Sequence, residues 1–142
     1  MMPLLAFAMA NRGQFGTFSF TPVIIGSRRS GSGNPVVSTA TATGRSVQVN
    51  GLAVGGLVVS AGDLVKFAGH QKTYMVTADV VANASGSAVL TIEPALYSPV
   101  VVSEAVILDG ISLTVSFSAD THEMPLSFGG VMSWECELVE VL

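Results

Sequence analysis

The stretch Ile111-Ser112-Leu113-Thr114-Val115-Ser116-Phe117-Ser118 alternates apolar and polar side chains without a break. Successive side chains of a β-strand point to opposite faces of a sheet, so a period of two predicts a strand with one buried face. The apolar side chains would face a core, and the serines and the threonine would face away from it. A strand at residues 111–118 is therefore expected to be the clearest element of the chain.

A second alternating run, residues 131–141, predicts a long final strand. Its inward side chains would be apolar: Met132, Trp134, Cys136 and Leu138. The side chains between them would face outward, where charge discourages pairing with other chains: Ser133, Glu135 and Glu137. In this interpretation Cys136 is a small buried core residue with an inert thiol.

Shorter strand-like segments, separated by turn residues, fill most of the remaining chain. They lie at residues 15–20, 45–50, 63–68, 71–80, 88–93 and 104–108. Asn50-Gly51 and Asp109-Gly110 predict hairpin turns, and residues 83–87 predict a longer turn. Gly13 is expected to end a short N-terminal helical turn over residues 4–10. The predicted fold class is all-β, an antiparallel β-barrel or sandwich.

Residues 26–44 differ from the rest because Gly, Ser, Thr, Ala and Asn dominate them. Such a stretch buries too little apolar area to offset its ordering entropy, so we expect an extended Gly/Ser-rich arm or linker. With this arm, the chain is expected to have four parts. These are an N-terminal barrel segment (1–25), the arm (26–44), a small β-meander module (45–103) and C-terminal strands that complete the barrel (104–142).

The chain is unusually apolar for a soluble protein. Of its 142 residues, 49% are hydrophobic and 11% are charged, and its mean hydropathy is +0.61, whereas charged residues average about 25% in globular domains. No apolar run reaches the roughly 18 residues of a membrane span, and residues 1–10 lack the basic start of a secretion signal. We therefore expect burial against partner proteins.

The charge and the cysteine count restrict the partners further. The net charge is −4 with six Lys and Arg, so no basic surface for nucleic-acid phosphates is expected. A single cysteine leaves no internal disulfide and fits synthesis in a reducing compartment.

The sequence offers no convincing catalytic or metal site. His70 follows Gly69 and is expected to be an exposed turn residue rather than a general base. His122 lies beside Asp120 and Glu123, but a zinc site usually needs three or four N or S ligands, and the chain has two His and one Cys. The glycine-rich residues 51–56 lack the lysine of a phosphate-binding loop. We expect no enzyme activity, no cofactor and no metal.

Three parts of the chain carry a recognisable pattern. The first is residues 11–18 (NRGQFGTF), the second is a central part with residues 60–67 (SAGDLVKF), 74–80 (YMVTADV) and 84–94 (ASGSAVLTIEP), and the third is residues 133–141 (SWECELVEV). In this order they resemble the L-x-G-Q-Y-G-T-F junction, the central strands and the last strand of a family of tailed-bacteriophage tail structural proteins.

The resemblance implies a distal-tail or minor-tail protein whose barrel carries an inserted β-module. It implies a non-catalytic subunit, made in the bacterial host cytoplasm and located in the virion tail. Expected partners are copies of itself, in a homo-oligomeric ring such as a hexamer, and tube or tip proteins. Ten residues precede Asn11, fewer than in the family, so strands from neighbours are expected to fill exposed edges.

Five residues are the expected interface. Phe18 and Phe20 would join a core or an interface, Arg28 and Arg29 would pair with an acidic neighbour, and Tyr97, between two prolines, would lie at the surface. Two alternatives stay open: a module that binds a host-surface glycan through exposed aromatic side chains, and a head-decoration or connector protein of the virion.

Overall fold

A computed structural model describes residues 2–22, 33–55, 57–119 and 136–142. Within these ranges the chain forms one α-helix, one short 3-10 helix and eleven strands. The α-helix is α1 (Met2–Ala10) and the 3-10 helix is Gly13–Phe15. The strands are β1 (Phe18–Phe20), β2 (Gly33–Val37), β3 (Ser46–Leu52), β4 (Leu57–Val59), β5 (Leu64–Phe67), β6 (Thr73–Val76), β7 (Val80–Val81), β8 (Ala88–Glu93), β9 (Val106–Ile107), β10 (Leu113–Phe117) and β11 (Leu138–Glu140).

The chain divides into two compact units. The smaller unit joins Met1–Phe20 with Leu113–Leu142, and the larger unit is Thr21–Ser112. In the smaller unit Phe20 pairs directly with Leu113, so the chain leaves and re-enters this unit at neighbouring positions of one sheet. The larger unit is therefore an insertion between β1 and β10.

The smaller unit contains a three-stranded antiparallel sheet in the order β1-β10-β11. Val115 and Phe117 of β10 are buried while Thr114 is exposed. The Phe117 ring lies 5.2 Å from the ring centroid of Phe18 and 6.5 Å from that of Phe7. The alternation predicted at residues 111–118 is confirmed in β10, and Phe117 of β10 and Phe18 of β1 pack against Phe7 of α1.

The larger unit contains a six-stranded antiparallel sheet in the order β2-β3-β8-β6-β5-β9. Its two outer strands approach each other through an isolated bridge between Val36 and Ala105. The sheet is consequently barrel-like and nearly closed, and β4 and β7 pair beside it. The fold class predicted from the sequence, an all-β antiparallel barrel or sandwich with a short N-terminal helical turn, is confirmed, and the sheet is of the barrel type.

Inward-facing valines and aromatic side chains of these strands form one core. Val47 and Val49 of β3, Val65 and Phe67 of β5 and Tyr74 of β6 are fully or almost fully buried. The predicted strand at residues 88–93 is confirmed as β8. The turn before it is confirmed as well, since Asn83 Oδ1 accepts hydrogen bonds from the backbone N–H groups of Ser85 and Ser87, at 3.0 and 2.9 Å.

The two predicted hairpin turns are wrong. Asn50-Gly51 lies inside β3, where Asn50 pairs with Val36 and Gly51 takes a positive φ of 78° beside an irregularity in the β2–β3 register. The chain bends at Asp109-Gly110, but no hairpin forms there, since β9 pairs with β5 whereas β10 pairs with β1 and β11. A turn dipeptide predicts a reversal of the chain, and the partners of the flanking strands depend on contacts distant in sequence.

Two further expectations differ in detail. The left-handed residue after α1 is Arg12, with φ 52°, and not Gly13, which begins the 3-10 helix. Residues 33–37, within the expected arm, form β2 and pair with β3, because Val36 and Val37 supply apolar side chains that this sheet can bury. Residues 26–32 lie outside the described residues.

The final strand is shorter than expected within the described ranges. β11 covers Leu138–Glu140. Residues 131–135, which include Met132 and Trp134, lie outside the described residues. Cys136 is exposed rather than buried, which corrects the expected core position. It precedes the paired residues of β11, so the alternation of a strand does not extend to it.

Candidate functional site: an anchored apolar loop

The residues expected at an interface fall in different units. Phe18 and Phe20 lie on β1 of the smaller unit, where Phe18 is half-buried against Phe7 and Phe117 and Phe20 is 42% exposed. Tyr97 lies in the larger unit and is 71% exposed, so its surface position is confirmed. Arg28 and Arg29 lie outside the described residues. The interface role of all five stays a prediction.

Tyr97 belongs to a loop, residues 94–105, that exposes three large apolar side chains. The other two are Val101 and Val102, which are 59% and 56% exposed. Residues 94–103 contain no charged residue. Loops at protein surfaces are usually polar, and contiguous exposed apolar side chains often mark interaction sites. The 94–105 loop is therefore the candidate site of the larger unit.

A buried hydrogen-bonded chain holds the first half of the loop. The Tyr97 backbone N–H donates to the Tyr74 hydroxyl oxygen at 3.1 Å, and that oxygen lies 2.9 Å from His70 Nδ1. His70 Nε2 lies 3.3 Å from both the Pro99 carbonyl oxygen and the Ser98 hydroxyl. Because a carbonyl only accepts, the tautomer that satisfies all of these contacts has its proton on Nε2 and accepts from the Tyr74 hydroxyl at Nδ1.

The burial of His70 corrects its expected exposure in the turn. Its side chain is 6% exposed and packs against the rings of Phe67 and Tyr74, with centroids 5.4 and 5.9 Å away. A buried imidazole needs partners for both ring nitrogens, and the 94–105 loop supplies those of Nε2. The partners at Ser98 and Pro99 are distant in sequence, so no local pattern pointed to this position.

The carboxylate of Glu104 holds the second half of the loop. Its Oε1 accepts from the Gly69 backbone N–H at 2.8 Å, and its Oε2 accepts from the Val101 N–H at 3.0 Å. Hydrogen bonds to a charged acceptor are stronger than neutral ones. Glu104 thus joins the β5–β6 turn to the loop tip, because each of its two carboxylate oxygens accepts a hydrogen bond from a backbone N–H group.

Residues 101–104 form a tight turn with Val101 and Val102 at its tip. The Glu104 N–H donates to the Val101 carbonyl at 3.2 Å, and Ser103 has a positive φ of 68°. Glycine or asparagine normally takes this position, since a side chain there costs free energy. The Ser103 N–H donates to Val37 O at 2.8 Å, which holds the strained residue against β2.

An open recess lies between the outer strands β2 and β9. Its volume is about 320 Å³. Seven of its nine lining residues are apolar or glycine: Gly33, Pro35, Val36, Ala105, Val106, Ile107 and Leu108. The polar lining residues are Asn34 and Asp109. Pro35 has no N–H, so it cannot donate a hydrogen bond that would continue β-pairing here.

The described residues hold no group of three or more His, Cys, Asp and Glu side chains that could bind a metal. No helix in the described ranges is long and apolar enough to cross a membrane. In the larger unit the aromatic side chains of Phe67 and Tyr74 are buried and Tyr97 is exposed. Buried aromatic residues count against a glycan-binding groove built from them.

Sequence reasoning found Tyr97 but missed Val101, Val102, His70, Tyr74 and Glu104. One signal was available for the valines: the uncharged run at residues 94–103 lies between two strands and is too long for a tight turn. His70 and Glu104 gave no signal because their partners are brought together by folding alone.

The comparisons with known proteins agree with the division of the chain into a smaller and a larger unit. No curated protein matches it. Residues 25–111 match the family model described as distal tail protein pb9, B domain, and these residues nearly coincide with the larger unit. The match covers more than half of the chain and confirms the resemblance to phage tail proteins. The chain therefore belongs to the distal tail protein pb9 B-domain family and is a phage distal-tail-type protein.

Proposed function

We propose that the chain is a non-catalytic structural subunit that assembles with copies of itself into a ring, about six per ring, and contacts the tube or tip proteins of the tail. The observation that carries this proposal is the family match over the inserted larger unit. We also propose that the chain is synthesised in the host cytoplasm. A single cysteine, which leaves no internal disulfide, is consistent with a reducing compartment.

The surface chemistry supports assembly through apolar contacts. The larger unit exposes Tyr97, Val101 and Val102, and the smaller unit exposes Phe20 on β1. With 11% charged residues, the chain has few charges that would have to be desolvated when copies associate. Burial of apolar area is the main favourable term in such interfaces.

The edges of the smaller unit offer a second assembly route. Among the described residues, β1 and β11 are the outer strands of its three-stranded sheet. An outer strand presents backbone groups that a strand of a neighbouring copy can pair with. Pairing of this kind would extend the sheet from one subunit to the next.

The mass of the full-length protein in solution tests the ring. Size-exclusion chromatography with light scattering should give one closed oligomer, of about six or twelve copies. A monomer at every concentration would contradict self-association. Mass spectrometry of separated tails and heads then tests the location, because a head-decoration or connector protein would be found in the head fraction.

Glycan binding is the alternative from a different class, and exposed Tyr97 is the feature that favours it. A glycan array with the full chain tests it directly. Binding that is lost in Tyr97→Ala would replace assembly as the role of the 94–105 loop. We expect no glycan to bind.

A further inference from the structure

The exposed turn and the recess of the larger unit lie consecutively along one seam. At one end Ser103 donates to the Val37 carbonyl and Val37 donates to the Glu104 carbonyl, both at 2.8 Å. The seam continues through the bridge between Val36 and Ala105. Beyond the bridge it opens into the recess. A projection and a recess therefore sit side by side where β2 meets β9.

A surface of this kind is complementary to itself under a two-fold rotation. When two seams face each other in opposite directions, the turn of each copy lies over the recess of the other. We propose that two copies of the chain pair through their larger units in this way, each inserting Val101 and Val102 into the other's recess. This inference rests on the self-association proposed above. A two-fold contact cannot close a ring of six, so it would join two rings face to face and add to the head-to-tail contacts within each ring.

The two surfaces match in polarity. Residues 94–103 are uncharged, and the Glu104 carboxylate is occupied by two backbone N–H groups. The recess is lined mainly by apolar residues, with Asp109 as its charged member. Exposed Tyr97 brings a hydroxyl that can donate to a carboxylate such as that of Asp109.

The volume of the recess and the fixed conformation of the loop also suit this pairing. A recess of about 320 Å³ has the volume for a few side chains rather than a whole strand. The loop is held by the bonds of Tyr74, His70 and Glu104 before any partner arrives. Little conformational entropy is then lost on association.

Charge placed at the loop tip tests the pairing in the full chain. In Val101→Asp, the added carboxylate would have to enter an apolar recess that already holds Asp109, so the dissociation constant should rise about tenfold or more. The matched control is Val81→Asp, since Val81 is a valine of the same unit that is 61% exposed on β7, outside the seam. The mass of the control at one concentration should equal the wild-type mass, and that of Val101→Asp should fall about twofold or more.

Complementation between two variants makes the test specific. Ala105→Trp fills the recess and keeps the loop intact, whereas Val101→Asp keeps the recess. Each variant alone should fail to pair, but the two mixed should co-elute, because one intact loop can enter one intact recess. Ile107→Glu serves as a second recess variant if Ala105→Trp is misfolded by circular dichroism, since Ile107 is partly exposed and lies opposite Lys66.

The outcomes separate this inference from the proposed function. A wild-type oligomer whose mass is unchanged in Val101→Asp would overturn the seam pairing and leave the structural role intact. Mixed variants that stay apart would overturn it as well. A wild-type protein that is monomeric throughout would overturn both the pairing and the proposed self-association.

Discussion

The Tyr74 hydroxyl shows how one polar group can order a loop. It accepts from the Tyr97 N–H and lies within hydrogen-bond distance of His70 Nδ1, and both Tyr74 and His70 are buried. Buried donors and acceptors that lose a partner cost free energy, because water does not replace it. The conformation of the 94–105 loop therefore depends on a residue that is not exposed itself.

Tyr74→Phe should lower the free energy of unfolding by about 1–3 kcal/mol, because it leaves the Tyr97 N–H and His70 Nδ1 without this partner. Tyr97→Phe removes a hydroxyl from an exposed ring and should change stability by about 0.5 kcal/mol or less. Urea unfolding of the full chain measures both. Equal effects of the two substitutions would contradict the buried hydrogen-bonded chain.

Glu104→Ala should also destabilise the protein, by about 1–3 kcal/mol, since two backbone N–H groups lose a charged acceptor. The matched control is Glu93→Ala. Glu93 pairs with Arg45 at 2.6 Å, but both side chains are more than half exposed, so we expect a loss of about 0–1 kcal/mol. Thermal unfolding compares the two, and a larger effect at Glu93 would count against the role of Glu104 in the loop.

At the scale of elements, the irregular pairing of β2 with β3 shapes the seam. Gly51 lies within β3 at φ 78°, and a Cβ atom built there would lie 2.7 Å from the Asn34 carbonyl oxygen. Only glycine permits both this backbone conformation and so close an approach of β2. The Asn50-Gly51 pair therefore serves strand pairing, although its composition is typical of a hairpin turn.

An alanine in the left-handed backbone conformation costs roughly 1–2 kcal/mol. Gly51→Ala should lower the free energy of unfolding of the larger unit by more than this, because the backbone of β2 must also move. Gly110→Ala is the control for conformation alone, since Gly110 has φ 61° and nothing lies within 4 Å of its built Cβ. Chemical denaturation of both variants gives the difference. Equal losses would mean that β2 moves away from Gly51 at little cost.

In the whole chain, the polypeptide enters and leaves the larger unit at paired positions of the smaller unit's sheet. Phe20 and Leu113 are paired in that sheet, and Thr21–Ser112 forms a unit with its own core. Domains with their own core and closely spaced ends often fold alone.

A fragment of residues 21–112 should therefore fold independently. We expect dispersed amide resonances and cooperative thermal unfolding for the isolated fragment. The full chain is the control and should contain the same resonances. A fragment that stays unfolded would show that the larger unit depends on the smaller one.

Self-association should persist when the salt concentration rises from about 0.05 to 1 M NaCl, because screening weakens charge contacts and leaves apolar burial in place. Ammonium sulfate should strengthen it. Light scattering across a salt series measures the mass. Dissociation at high salt would instead point to charged contacts, such as those expected of Arg28 and Arg29.

Local patterns in the chain were enough to predict the strand content, the bounds of β8 and the alternation in β10. These properties depend on neighbouring residues, since side-chain alternation and turn chemistry act over a few positions. The near closure of the sheet, the exposure of Cys136 and the burial of His70 required the folded chain. Val37 bonds to Glu104, Thr41 pairs with Val100, and Glu104 reaches Gly69. Such contacts join residues far apart in sequence, and a period of two indicates which side of a strand is buried but not which strand lies beside it.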